Sequence, residues 1–205
     1  SGNLIEVCPT GVFTDKTLKE HYTRKWDLQT APSICNHCSL GCNTIPGERY
    51  GELRRIVNRY HEDINGYFLC DRGRFGYEFV NSGQRVREPL IRELSSGQLR
   101  PASGKVAVQH VGSAIKDGGR VLGIGSPRAS VETNFILRTL VGADNFFAGV
   151  SQSDFDLVAT VVAIMKRGPG RPPSLKEVGS ADAVFVLGED PTDTAPMLAL
   201  ALRQS

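Results

Sequence analysis

Five cysteines lie in the first third of the 205-residue chain, and cysteine thiolates are well suited to bind zinc ions and iron–sulfur clusters. Three of them, Cys35, Cys38 and Cys42, fall within eight residues, and Cys70 follows after another 27. Cys8 stands apart from this group. The odd count, with no cysteine after Cys70, argues against a disulfide framework. The C-x2-C-x3-C-x27-C spacing therefore predicts one site with four thiolate ligands.

The spacing also bears on which metal is bound. Structural zinc sites usually have two paired knuckles that clamp a single ion, whereas this sequence has one C-x2-C pair. Three close thiolates and one remote thiolate suit a larger cluster whose irons are separate targets for the ligands. We therefore expect a [4Fe-4S] cluster, and a zinc-stapled structural or interaction domain is the alternative.

Other polar residues near the cysteines are weaker candidates for functional residues. His37 lies between the first two cysteines, but with four thiolates present we expect it to surround the cluster rather than bind it. Arg72 and Arg74 closely follow Cys70, and a guanidinium near the sulfurs would raise the reduction potential of the cluster. No Ser/His/Asp set or carboxylate pair has a recognisable spacing, so we predict no catalytic residue. The other histidines are expected to be ordinary surface or core residues: His21, His61 and His110.

The composition indicates a folded, soluble chain without a nucleic-acid partner. Lys and Arg number 24 against 22 Asp and Glu, and the net charge of +2 is too small for binding driven by counterion release. The most apolar stretch, 157–165, is far shorter than the roughly 20 residues of a spanning helix. The first residues also lack the basic start of an export signal. We therefore expect no direct membrane insertion.

The apolar pattern changes along the chain. Around the cysteines, strand-like pieces are predicted at 52–59 and 67–69 and a short helix at 73–80. From about residue 100, strand and helix patterns alternate, which is typical of a parallel, doubly wound sheet. The predicted elements there are helices at 105–116, 130–141, 154–166 and 197–202 and strands at 121–125, 144–150 and 183–188. The predicted fold class is α/β: a small irregular [4Fe-4S] subdomain, then a partial doubly wound parallel-sheet domain.

Several stretches, taken in order, resemble one known family. They are the segments 6–11, 26–31, 33–42, 68–76 and 123–130. Together they are similar to the large iron–sulfur subunits of bacterial proton-pumping NADH:quinone oxidoreductase (complex I), and more distantly to molybdopterin oxidoreductases. Because those subunits are several times longer, the resemblance implies an internal segment.

The resemblance implies roles for all five cysteines. Cys35, Cys38, Cys42 and Cys70 match the ligands of an additional [4Fe-4S] cluster of this family. Cys8 matches the last ligand of a second [4Fe-4S] cluster, whose other ligands lie upstream in the full subunit.

The resemblance also implies a division into three parts. Residues 1–30 are expected to be a linker from an upstream ferredoxin-like region. Residues 31–92 are expected to form the [4Fe-4S] subdomain, and residues 93–205 a truncated α/β domain.

The implied function is electron transfer within complex I. The segment would scaffold the peripheral arm, on the cytoplasmic side of the bacterial inner membrane, with other peripheral-arm subunits as partners. NADH and quinone would bind elsewhere, and the isolated fragment is not expected to be active. A molybdopterin-dependent, formate dehydrogenase-like enzyme is a further alternative, although those enzymes commonly carry a lysine where Arg72 stands and a catalytic cysteine or selenocysteine further on.

Overall fold

The computed structural model describes residues 2–20 and 22–205. Ser1 and His21 lie outside the described residues, and so does the expectation that His21 is an ordinary surface or core residue. The chain forms two compact units, one made of the residues up to Arg85 together with Pro172–Ser205, the other of Val86–Arg171. The domain limits that the sequence predicts at residues 30 and 92 stay a prediction.

The first unit begins with two short helices and an antiparallel sheet of four strands. Its long central strand pairs with two short strands on one side and with a second long strand on the other. These elements are α1 (Gly2–Val7), α2 (Lys16–Glu20), β1 (Gln29–Thr30), β2 (Ser33–Ile34), β3 (Asn43–Arg49) and β4 (Glu52–Asn58).

The hairpin between β3 and β4 is closed by the two-residue turn Tyr50–Gly51. Arg49 pairs with Glu52, and Tyr50 and Gly51 have φ angles of 58° and 80°. A two-residue turn with both φ angles positive twists in the same sense as its flanking strands, so it fixes their register. Its second strand, β4, confirms the strand predicted at 52–59 to within one residue.

Beyond the sheet, the chain forms a loop and then two short helices, α3 (Asp71–Phe75) and α4 (Glu78–Asn81). The sequence predicts a single helix at 73–80, but the structure ends α3 at the cap residue Gly76. The strand predicted at 67–69 does not form. The backbone there has other partners, since the Phe68 amide donates to the Asn65 carbonyl at 2.9 Å and the Leu69 amide to Asn3 Oδ1 at 3.1 Å.

The second unit contains a small hairpin, three longer helices and a parallel pair of strands. Its elements are β5 (Leu90–Arg92), β6 (Leu99–Pro101), α5 (Gly104–Lys116), β7 (Gly123–Ile124), α6 (Val131–Val141), β8 (Phe146–Phe147) and α7 (Gln152–Arg167).

Serine caps set the beginnings of the three longer helices, each by accepting a hydrogen bond from a backbone amide in the first turn. They are Ser103, Ser130 and Ser151. The helices predicted at 105–116, 130–141 and 154–166 are therefore confirmed to within two residues at each end.

The C-terminal segment belongs to the first unit and carries α8 (Leu175–Gly179), α9 (Pro191–Thr194) and α10 (Pro196–Gln204). The helix predicted at 197–202 is found within α10. The strand predicted at 183–188 is wrong, because this segment has no regular structure and leaves Phe185 and Leu187 more than 80% exposed.

The structure is thus mixed α/β with small sheets. Within the described part of the chain, β7 and β8 are the only parallel pair, joined through α6. The partial doubly wound sheet that the sequence predicts is therefore not confirmed. The strand patterns at 121–125 and 144–150 are realised only as two residues each, since little else in this unit covers their apolar side chains.

The buried side chains lie in the first unit. The side chain of Leu69 has no exposed surface, and Tyr77, Ala199 and Ala201 are also buried. Large apolar side chains on α7 of the second unit are 40–65% exposed, for example Leu157 and Val162. In the part of the chain that the structure describes, no helix has the length and apolar character needed to cross a membrane.

Candidate metal centre

Two cysteines stand at the base of a hairpin. Strands β2 and β3 pair from Ser33 to Ile34, and the next step of the ladder is a hydrogen bond of 2.8 Å from the Cys35 amide to the Cys42 carbonyl. The loop that this bond closes carries Cys38. The hairpin therefore collects the three closely spaced cysteines at one end of the sheet.

The fourth cysteine enters from a helix. Cys70 is the cap residue of α3, where its Sγ accepts a hydrogen bond from the Gly73 amide at 3.4 Å and its carbonyl accepts one from the Arg74 amide at 3.0 Å. Cys70 is thereby held with its sulfur at the amino end of α3.

Gly73 brings the helix and the hairpin together. A Cβ atom at this position would lie 3.2 Å from Cys35 Sγ and 2.9 Å from Cδ1 of the fully buried Leu69. The contact with Leu69 is closer than real Cβ atoms show, so a side chain at this position would displace the buried Leu69 or α3. The structure therefore brings Cys70 and its helix beside the Cys35–Cys42 hairpin, as the sequence pattern requires.

Electrostatics show that the four thiols share one neighbourhood. Burial raises the pKa of Cys42 to about 12, and the negative charges of Cys35, Cys38 and Cys70 contribute to this rise. Burial also raises the pKa of Cys35, with a further contribution from Cys70 and Cys38. Four thiolates this close repel one another, so their joint deprotonation needs a positive partner.

The donor set fits an iron–sulfur cluster. All four thiols are free and are half-buried or buried, which suits a cofactor shielded from water. No three His, Cys, Asp or Glu side chains of residues 2–20 and 22–205 converge closely enough to hold a single metal ion. The four thiolates of a [4Fe-4S] cluster attach to separate irons, so they need not meet at one point.

Cys8 makes its hydrogen bonds within its own turn. Its Sγ lies 3.5 Å from Thr10 Oγ1. Hydrogen bonds from the backbone at Phe13, from the Thr10 side chain and from the backbone at Thr10 and Val12 lower the pKa of Cys8 to about 6. This turn therefore favours a thiolate at a solvent-accessible position.

The two arginines after Cys70 make contacts that the sequence does not predict. Arg74 is buried, forms an ion pair with Glu6 and donates to Asn3 Oδ1 at 3.0 Å. Arg72 donates to the Asp193 carbonyl at 2.9 Å and to Asp193 Oδ1 at 3.2 Å. Both guanidiniums are thus engaged with α1 or α9, and the expectation that they serve the sulfurs is not supported by these contacts.

His37, within the cysteine loop, is half-buried beside the α3–α4 region. Its ring meets that of Phe79 edge to face, with the centroids 6.3 Å apart. A Cβ atom at Gly76 would lie 3.0 Å from the His37 ring. The side chain therefore packs beside the site, in agreement with a surrounding role.

Two contacts that matter for the geometry escape prediction from the sequence. Gly73 is expected there to let the backbone bend around the cluster, but not to lie against Cys35, and Asn65 does not stand out at all. Asn65 is 2% exposed and accepts a hydrogen bond of 2.9 Å from the Asn43 amide, next to Cys42. The pair Asn65–Gly66 signals a turn in the sequence, but nothing in the sequence shows which strand the turn contacts.

The comparison with known families identifies the class of this site. Residues 28–82 match the molybdopterin oxidoreductase Fe4S4 domain. The matched segment runs from just before β1 to just after α4 and contains Cys35, Cys38, Cys42 and Cys70. This part of the chain is therefore similar to the iron–sulfur domains of molybdopterin oxidoreductases, the more distant family that the sequence resembles.

The relatives are more specific. The chain is similar over its whole length to the G subunit of NADH-quinone oxidoreductase, with 54% identity to that of Shewanella oneidensis, 53% to that of Pseudomonas fluorescens and 52% to that of Salmonella typhimurium. Each alignment covers 205 residues, all of this chain and 22% of the relative. The resemblance stated from the sequence is thus confirmed, and the chain spans about a fifth of the length of these curated relatives.

Proposed function

We propose that the chain is an electron-transfer segment of the large iron–sulfur subunit of an NADH-quinone oxidoreductase, with one [4Fe-4S] cluster held by Cys35, Cys38, Cys42 and Cys70. The observation that carries the proposal is the convergence of the hairpin and α3 on one neighbourhood of four free thiols. The match of residues 28–82 to an Fe4S4 domain supports the same cofactor.

When bound, the cluster supplies one-electron redox chemistry. Residues of the chain would hold the cluster in place: the backbone hydrogen bond from Cys35 to Cys42 fixes the positions of these two residues, and the Gly73 amide holds the sulfur of Cys70. The thiols give up their protons on metal binding, so binding weakens in acid. Burial of Cys42 limits the access of water and oxygen to that side of the site.

Cys8 belongs in this proposal to a second [4Fe-4S] cluster that forms only in the full subunit. The amide-rich turn at 8–13 supports this role, because it stabilises a thiolate before any metal is present. The four-cysteine site is then complete without Cys8.

The relatives support a proposal about the complex in which the chain acts, because their shared name describes an NADH-quinone oxidoreductase. We infer that the chain acts as part of that complex, contacts other subunits of its peripheral arm and lies on the cytoplasmic side of the bacterial inner membrane. The chain alone would not oxidise NADH. Arg128 stands where the third glycine of the dinucleotide-binding fingerprint would lie, after Gly123 and Gly125.

We also infer that residues 93–205 are part of a doubly wound sheet in the full subunit. The repeating motif of such a sheet is present once, since β7, α6 and β8 form a parallel strand–helix–strand crossover. A structure of the full subunit tests this inference, which fails if β7 and β8 have no further parallel neighbour there.

Elemental analysis of protein purified without oxygen tests the cofactor. About four irons and four sulfides per chain, with no zinc or molybdenum, support the proposal. One zinc per chain without sulfide would instead show a zinc-stapled domain. Molybdenum with bound pterin would show a formate dehydrogenase-like enzyme.

A further inference from the structure

We propose that Asn65 is a positioning residue, which sets the spacing between Cys42 and Cys70 by hydrogen-bonding the backbone beside each of them. This inference rests on the proposed cluster site for its purpose. Its evidence is separate, because it comes from the loop between β4 and α3.

The Asn65 side chain joins the two cysteine-bearing segments directly. Its Oδ1 accepts the Asn43 amide at 2.9 Å, one residue after Cys42. Its Nδ2 donates to the Phe68 carbonyl at 3.4 Å, two residues before Cys70. One buried amide group therefore spans the start of β3 and the approach to α3.

The other contacts of Asn65 hold it against the end of β4. Nδ2 also donates to Asn58 Oδ1 at 2.6 Å and to the Arg59 carbonyl at 3.3 Å, so that its two hydrogens are shared among three acceptors. The Arg59 amide in turn donates to the Asn43 carbonyl at 3.1 Å, which continues the β3–β4 ladder. These bonds restrict the Asn65 side chain to one orientation. The side chain can therefore fix the position of the backbone that it contacts, rather than only fill space.

The backbone of the loop delivers Asn65 to this place. The His61 carbonyl accepts the amides of Asn65 and Gly66 at 3.2 and 2.8 Å, and Gly66 has a positive φ of 50°. Asn58 Nδ2 donates to the Gly66 carbonyl at 3.1 Å. The loop therefore folds around Asn65, and a polar group 2% exposed is fully used in hydrogen bonds.

Asn65→Asp is the sharpest substitution. It keeps an oxygen for the Asn43 amide but replaces the Nδ2 donor with a second oxygen that faces three acceptors. Asn81→Ala is the matched control, since Asn81 also bridges backbone groups of β4, at the Leu53 amide and carbonyl at 2.9 and 2.8 Å. Leu53 pairs with Glu48, at the end of β3 away from Cys42.

The first measurement uses reduced, metal-free protein and site-resolved alkylation by iodoacetamide. We expect Cys42 and Cys70 to react roughly tenfold faster in Asn65→Asp than in wild type, because opening of the buried site becomes easier. Asn81→Ala should leave both rates unchanged. Wild-type rates in Asn65→Asp, or equal acceleration in Asn81→Ala, would overturn the inference.

The second measurement is iron content and the EPR spectrum after reconstitution with iron and sulfide. Asn65→Asp should hold less than half the iron of wild type, with an altered signal in what remains, while Asn81→Ala matches wild type. Unchanged iron and signal in Asn65→Asp contradict the inference alone. A wild-type protein that takes up no cluster contradicts the proposed function, and the alkylation rates still decide the role of Asn65.

If Asn65→Asp does not fold, hydrogen exchange of the wild-type protein tests the inference about Asn65 instead. The Asn43 amide is expected to exchange at least about tenfold more slowly than the amides of the adjoining loop, because Asn65 Oδ1 accepts its hydrogen bond. Rapid exchange at Asn43 would show that this bond does not hold in solution.

Discussion

Gly73 is the residue at which the cofactor site tolerates no side chain. Gly73→Ala places a Cβ 3.2 Å from Cys35 Sγ and 2.9 Å from Cδ1 of Leu69, which is fully buried and must shift within the core. We expect overpacking to cost about 1–3 kcal/mol of stability and to lower the iron content per chain. Gly83→Ala is the control, because nothing lies within 4 Å of its Cβ. Equal iron in both variants would show that the approach of α3 to Cys35 is unimportant.

The cysteines should respond unequally to substitution. Cys38→Ser removes one ligand of the four-cysteine site, so we expect loss of cluster occupancy and loosening of residues 31–92. Cys8→Ser should leave the iron content of this chain unchanged, because its hydrogen bonds lie within its own turn. Iron analysis of the two variants makes the comparison. Equal iron loss would contradict the assignment of Cys8 to a different cluster.

Tyr77 gives a test in alkaline solution. Burial, followed by the charges of Asp15 and Glu78, raises the pKa of Tyr77 from 10.0 to about 12. Between these values the unfolded state loses the phenol proton while the folded state keeps it, so the folded state becomes less stable as the pH rises. The stability present below pH 10 should fall toward pH 12.

Urea unfolding of cluster-free protein at about pH 9 and about pH 11, on either side of the ordinary tyrosine pKa, measures this effect. Tyr77→Phe should lose less stability over this interval than wild type, although it also loses the hydrogen bond to the Arg54 carbonyl at 2.9 Å. Tyr22→Phe is the control at a 72% exposed site. Identical pH dependence in wild type and Tyr77→Phe would argue against a buried, protonated phenol.

At the residue scale, candidate ligands are easier to recognise in the sequence than the residues that support them. Cysteine spacing is local information, so the four-thiol set and the separate Cys8 can be recognised without a structure. Gly73 and Asn65 act through contacts across the fold, with Cys35 in one case and with Asn43 in the other. No local pattern distinguishes them from an ordinary helix glycine and turn asparagine.

At the scale of elements, α1 is fastened to α3 by a buried set of polar contacts. The Gly2 amide donates to Asp71 Oδ1 at 2.9 Å, and Arg74 pairs with Glu6. The side chains of Arg74 and Glu6 are only 5% and 19% exposed. Residues around α1 are therefore packed onto the helix that Cys70 begins, although the sequence suggests a linker there.

Removing one partner of this pair should be costly. Arg74→Met leaves the Glu6 carboxylate largely buried without its partner, and we expect the free energy of unfolding to fall by about 3 kcal/mol. Adding Glu6→Gln should recover part of this loss. Lys176→Met is the control, because its pairs with Glu62 and Asp63 are exposed and should matter little. Urea unfolding that ranks Arg74→Met no lower than Lys176→Met would contradict this role.

Helices could be predicted from the sequence more closely than strands. Serine caps and apolar faces are local, and they place α5, α6 and α7 well. A strand needs a neighbour to accept its hydrogen bonds, and the sequence does not reveal which segments supply one. The apolar run at 183–188 therefore has strand composition but no strand structure.

At the scale of the whole molecule, the two units differ in what they bury. The first unit contains the cysteines and the buried residues Leu69, Tyr77 and Ala199, whereas the second leaves apolar helix faces exposed. The α/β class could be predicted, because it requires only that local patterns show which segments are helices and which are strands. The doubly wound sheet depends on strands meeting across the whole domain, so it could not be established from this sequence.

The most direct test of the central claim is anomalous diffraction at the iron edge from crystals grown without oxygen. The account predicts one compact iron cluster, with a different iron bonded to the Sγ of each of Cys35, Cys38, Cys42 and Cys70. A solitary ion among these sulfurs, or four sulfurs that share no metal in a well-ordered first unit, would contradict it.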